Sequence, residues 1–137
     1  IERVILICRD EDLVRRLHER APELPLTLLS ITRRTSRDAA RNLPVVGVVP
    51  YYKAVKPKFI RTVHEAGKFL LPWTVNKRRD LHRMLDWRVD GIITDIPLAL
   101  REMQEQRELK RVRRYLTEGS GRWNPVLSGQ RPEEVDE

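Results

Sequence analysis

The 137-residue chain is 40% hydrophobic, enough for one packed domain but too little for a complete (β/α)8 barrel, which typically needs about 250 residues. A net charge of +7 at pH 7 favours anionic partners, whether phosphate esters, nucleic acid or a membrane surface, unless Lys and Arg merely solvate helix faces. A single cysteine, Cys8, excludes an intrachain disulfide and a cysteine-based zinc cluster, and favours a reducing compartment.

Val4 to Ile7 is a short apolar run that reads as a buried strand. Asp10 is a good N-cap for the helix that follows, in which Leu13, Val14 and Leu17 recur at helical spacing until Pro22. Leu26 to Leu29 is the next strand, and Thr35 to Asn42 a short polar helix or turn. Val45 to Val49, β-branched and closed by Pro50, is again a strand. Lys56 and Pro57 open a helix in which Ile60, Val63 and Ala66 share a face, with Gly67 at its C-terminal cap.

Phe69 to Val75 returns as strand, Lys77 to Trp87 as a helix burying Leu81, Met84 and Leu85, and Val89 to Thr94 as strand. Asp95 caps a last helix that tolerates Pro97 in its first turn and carries an apolar stripe of Leu100, Met103, Leu109, Val112 and Leu116. Residues 118–137 are rich in charge, Pro and Gly, and read as a disordered tail that includes Trp123. Strands alternating with helices imply right-handed βαβ units and a parallel sheet. The carboxyl ends of its strands form the rim where such folds bind ligands.

No apolar run reaches the roughly 18 to 20 residues of a membrane span and no signal peptide is visible, so a cytoplasmic location is expected. The chain starts at Ile1, two residues before an apolar strand, and is expected to be a piece of a longer one. Lys110, Arg111, Arg113 and Arg114 form a basic run, but Glu105 and Glu108 interrupt it and no aromatic residues interleave with it. No nucleic-acid partner is therefore expected, and a membrane surface is suggested by charge alone.

Val63-His64-Glu65-Ala66-Gly67-Lys68, then Trp73-Thr74-Val75-Asn76, then Val89-Asp90-Gly91-Ile92-Ile93-Thr94-Asp95-Ile96-Pro97 resembles the carboxyl-terminal half of glycerophosphodiester phosphodiesterases. Order, spacing and residue choice agree across several separated elements. The likeness covers residues 3–99 and is looser upstream, where Cys8-Arg9-Asp10 stands in place of the family's usual Ser-Phe-Asp. It implies a partial TIM (β/α)8 barrel over residues 1–99, followed by a basic terminal helix at 100–117 and the tail.

The resemblance implies a hydrolase that splits glycerophosphodiesters into glycerol 3-phosphate and an alcohol with the help of a divalent metal, calcium or magnesium. The family's catalytic set lies in the first half of its barrel: a His-Arg-Gly, paired acidic metal ligands and a second histidine. None of it occurs in this sequence. His18, His64 and His82 each fall on a predicted helix. The fragment alone is expected to be inactive, to need the missing amino-terminal half, and to supply pocket wall only.

Trp73 offers a large apolar face suited to a glycerol backbone or a choline-like cation, although such a ring also serves in a core or interface; the resemblance implies substrate lining. Asn76 either donates to a phosphate oxygen or, as the residue order favours, caps the helix starting at Lys77. Arg9 either contacts a phosphate or turns to solvent. Trp87 is expected behind the sheet. The alternative function is a noncatalytic anion- or protein-binding domain derived from the same fold, which would leave unpaired strand edges and an open interior.

Overall fold

The computed structural model of the protein describes residues 4–118. The expected disordered tail beyond that point and Trp123 lie outside the described residues. The chain divides into two units, Ile1–Leu100 and Arg101–Glu137.

The first unit is an α/β layer structure. Strands β1 (Leu6–Cys8), β2 (Leu26–Ser30), β3 (Gly47–Pro50) and β4 (Phe69–Leu70) lie side by side in chain order. Every neighbouring pair is parallel, with Leu6 opposite Leu26, Leu28 opposite Val48, and Val48 opposite Leu70. Helices α1 (Glu11–Arg20), α2 (Arg33–Asn42), α3 (Pro57–Glu65) and α4 (Arg78–Asp86) alternate with or follow the strands.

Local chemistry marks several of the helix ends. The Asp10 carboxylate accepts the Leu13 N–H at 2.7 Å, and Glu11 and Asp12 follow in the first turn of α1. The Thr32 hydroxyl caps α2 by accepting the Thr35 N–H at 3.2 Å, so the segment expected as a polar helix or turn from Thr35 is a helix that starts two residues earlier. Pro57 sits in the first turn of α3. At the other end of α3, Gly67 adopts φ 72°, which lets its N–H reach the His64 carbonyl and that of Lys68 the Val63 carbonyl.

Period-two alternation sorts the sheet into two faces. Cys8, Leu26, Leu28, Val48 and Leu70 share one face and are nearly inaccessible to solvent. The buried residues Val14, Ala39, Ala40, Phe59, Ile60, Val63, Leu81 and Met84 come from the four helices, which bring the apolar area that such a core needs. A buried hydroxyl pair, Ser30 with Ser36, joins β2 to α2.

The opposite face carries Ile7, Thr27, Leu29, Gly47, Val49 and Phe69 in register. Here β1 is incompletely covered: Ile5 and Ile7 are each 47% exposed.

Two expected strand features are corrected. The run Phe69 to Val75 is strand only at Phe69–Leu70, with an isolated parallel bridge from Tyr51 to Trp73 beyond it. Val89 to Thr94 forms no strand. Its Ile93 N–H donates to the Pro72 carbonyl and its carbonyl accepts from Val75, both at 2.9 Å. Those partners are one residue further apart than a regular parallel ladder allows, so the pairing is bulged and does not propagate.

α5 (Pro97–Glu118) starts within the first unit and ends within the second. Of its expected apolar stripe Met103 is buried, whereas Leu109, Val112 and Leu116 are exposed.

Gly47 is dictated by a close approach. A Cβ there would lie 2.3 Å from a ring carbon of Phe69, its partner across the β3 and β4 pair. Gly47→Ala is expected to destabilise the fold by about 1–3 kcal/mol, as overpacking does, and Phe69→Ala to relieve part of that cost. Urea unfolding of the two single variants and the double variant measures the coupling; strict additivity would show that the ring is not the obstacle.

Candidate functional site

Parallel strands deliver their carboxyl ends to one rim. Cys8 leads to Arg9, Ser30 to Ile31, Pro50 to Tyr51, and the β4 extension to Trp73. Trp73 is held at several points: its N–H donates to the Pro50 carbonyl at 3.1 Å and its carbonyl accepts from the Tyr52 N–H at 2.9 Å. The indole N–H donates to the Val49 carbonyl at 2.9 Å. With that donor used internally, the ring offers an apolar face and edge.

Trp73 does not stand alone. Its ring lies 5.6 Å from that of Tyr51, which meets Tyr52 edge-on at 5.1 Å. All three residues are half-buried, and Tyr52 opens a single 3-10 turn, Tyr52–Ala54. Sequence reasoning missed both tyrosines. The available signal was a pair of aromatic residues directly after the proline that closes β3, at a rim position.

Asn76 was expected to cap the helix at Lys77, and the structure corrects this. Lys77 is itself the N-cap residue and provides no side-chain cap. The Asn76 amide spans to the next loop, where its Nδ2 donates to Asp95 Oδ2 at 2.7 Å and its Oδ1 accepts from the Asp95 N–H at 2.9 Å and the Thr94 hydroxyl at 3.3 Å. Asp95 thus turns its carboxylate to Asn76. The Thr94 hydroxyl, rather than Asp95, accepts the Ile96 N–H at 3.1 Å ahead of α5.

A second tie lies toward the opposite end of the sheet. Asp90 Oδ2 accepts the Leu70 N–H at 2.8 Å and stands 2.8 Å from His64 Nε2. The carboxylate therefore joins the last turn of α3 to β4. Nothing in the spacing of His64 and Asp90, 26 positions apart, signals this connection.

Arg9 is exposed at the end of β1 and makes no hydrogen bond or ion pair with the described residues. An open depression of about 640 Å³ nearby is lined by Asp10, Asp12, Leu13, Arg15 and Arg16, all from α1 and its cap. None of the rim aromatics borders it. Trp87 is half-buried, with the Lys56 ammonium and the Arg83 guanidinium each 5.9 Å from its ring. Among the described residues no group of three or more His, Cys, Asp or Glu side chains converges as a metal site. Those residues therefore do not fit a resident metal ion.

Two outcomes are expected. Asn76→Ala breaks the bridge to residues 94–95 and should cost about 1–2 kcal/mol in urea unfolding; Asn76→Asp, which faces a second carboxylate across the same gap, should cost more. The reverse order would show that the bridge contributes through packing alone. Burial pushes the Cys8 thiol pKa up, so less thiolate is present at pH 8 than for a free cysteine. A disulfide reagent should label native Cys8 slowly and the urea-unfolded chain rapidly.

The model of the "Glycerophosphoryl diester phosphodiesterase family" matches residues 2–99. The glycerophosphodiester phosphodiesterase of Bacillus subtilis (strain 168) is 39% identical over 92 residues, 64% of this chain and 31% of that protein. The enzyme of the same name from Caldanaerobacter subterraneus subsp. tengcongensis is 32% identical over 100 residues, 72% of this chain and 41% of that one.

Among solved structures, a putative glycerophosphoryl diester phosphodiesterase from Silicibacter pomeroyi superposes with a TM-score of 0.66 at 28% identity, covering 72% of this chain and 36% of its own. An Oleispira antarctica phosphodiesterase, solved with sn-glycerol-3-phosphate, gives 0.67 at 12% identity, covering 74% of this chain and 41% of its own, a likeness of fold. The chain spans less than half the length of these relatives, and its parallel sheet corresponds to part of their TIM-barrel fold. It belongs to the glycerophosphoryl diester phosphodiesterase family.

Proposed function

We propose that this chain forms one wall of the pocket in a phosphoric diester hydrolase that splits glycerophosphodiesters into glycerol 3-phosphate and an alcohol. The observation that carries the reading is the fixed Trp73: an apolar ring locked to the rim within the family's Trp-Thr-Val-Asn segment and backed by Tyr51. A ring that has lost its donor to the backbone recognises substrate by its face, which suits the carbon skeleton of the alcohol or glycerol rather than the phosphate. Arg9, exposed at the same rim, is the phosphate-facing candidate. Asn76 acts by holding the rim segment at 94–95 in place.

Acid–base catalysis requires proton donors and acceptors within about 3 Å of the reacting oxygens. His18 and His64 lie in the last turns of α1 and α3, toward the end of the sheet opposite the rim, and His82 lies within α4. None of them supports a catalytic role for this chain by itself. The acid and base, and carboxylates for a calcium or magnesium ion, belong in this reading to the part of the relatives that the chain does not span.

The test is glycerophosphocholine hydrolysis by the full-length gene product, with and without chelator. Chelator-sensitive release of glycerol 3-phosphate is expected, with no turnover from residues 1–137 alone. Trp73→Ala should raise KM by about tenfold, equivalent to about 1.4 kcal/mol of binding, with a smaller change in kcat. Absence of glycerol 3-phosphate release would overturn the hydrolase assignment and leave a noncatalytic binding domain of the same fold.

A further inference from the structure

We propose that the carboxyl rim docks the protein onto an anionic lipid bilayer. The first turns of α2, α3 and α4 all face this rim, because each helix follows a parallel strand. A helix start favours acidic side chains. Here α2 and α3 have none in their first turns, and the one in α4, Asp80, is buried and held 3.2 Å from Arg83.

In their place stand exposed cations: Arg33 and Arg34 at the start of α2, Lys53 and Lys58 around the start of α3, Lys77 and Arg79 at the start of α4. Lys53, Lys58, Lys77 and Arg79 form no ion pair with the described residues. This arrangement opposes the helix dipole at successive helices. It is the charge pattern that an external anionic surface compensates.

Charge alone does not separate a bilayer from a nucleic acid; the apolar side chains at the same rim do. Ile31, between β2 and α2, is 68% exposed, and Leu98, in the first turn of α5, is 75% exposed. Aliphatic side chains on a rim that also carries cations gain by entering the acyl boundary while the charged groups remain at the headgroups. They gain nothing against a phosphodiester backbone. The acidic start of α1, with Asp10, Glu11 and Asp12, stands beyond β2 at the edge of the sheet, so the attraction centres on β3 and β4. A chain docked this way turns Trp73 toward the lipid surface, yet the docking needs no hydrolysis and stands apart from the diesterase reading.

Co-sedimentation of the full-length protein with vesicles tests it. Phosphatidylcholine vesicles containing phosphatidylglycerol should carry the protein down at low salt, and pure phosphatidylcholine vesicles far less. The Lys53→Gln/Lys58→Gln/Lys77→Gln/Arg79→Gln variant should lose at least about 100-fold in partitioning, given a few-fold for each basic residue near an anionic surface. Ile31→Ser/Leu98→Ser, which changes only exposed side chains and should keep the wild-type circular dichroism, should lose about tenfold. Failure of the wild type to sediment, or undiminished binding by either variant, overturns the proposal. So does a short DNA duplex bound more tightly than the vesicles and unaffected by the change at Ile31 and Leu98.

Discussion

A backbone N–H or carbonyl withdrawn from water must find a partner, and at the last strand of this sheet the regular ladder runs out. β4 contributes only Phe69–Leu70, after which the pairing continues through the bridge at Trp73 and the bulged bonds of Ile93. Side chains take over the work of the ladder. Asp90 accepts the amide of Leu70, and Asn76 accepts the amide of Asp95. Trp73 itself keeps main-chain bonds to Pro50 and Tyr52, while these side-chain bonds hold the segments on either side of it.

The same economy governs the aromatic rim. Trp73 gives its indole donor to Val49 and its flank to Tyr51, so the ring has little rotational freedom. The cationic residues of the same rim have long, exposed side chains, of which Arg33 also commits its Nε to the Ala54 carbonyl at 2.9 Å. On the two proposals made above, selection and attraction are separated: the rings would discriminate by shape, and the charges would act over a distance set by salt.

Much of the architecture was legible because short apolar runs bounded by Asp10, Pro22, Pro50, Pro57 and Gly67 leave few alternatives to alternating strands and helices. Capping chemistry located α1, since Asp10 stands directly before an acidic first turn. Legibility failed where hydrophobicity and hydrogen bonding diverge. Val89 to Thr94 has the composition of a strand, but residue choice does not reveal a bulge that depends on which carbonyl Pro72 presents. Asn76 looked like a cap because a helix begins next to it, and its bond to Asp95 spans 19 positions. The tyrosines carried only a weak local signal, a pair of aromatic residues just past Pro50, and their grouping with Trp73 depends on a contact 22 positions away.

The clip at Asp90 has a consequence for how the chain acquires its structure. The amide of Leu70 and the imidazole of His64 meet a carboxylate that lies 20 and 26 positions downstream of them. Closing that loop has an entropic cost that local contacts within α3 do not carry. During synthesis from the amino end, β4 can align beside β3 as soon as it emerges, yet it stays unlatched until α4 and Asp90 have followed. Until then the newest edge of the growing sheet is the one most open to pairing with the wrong strand.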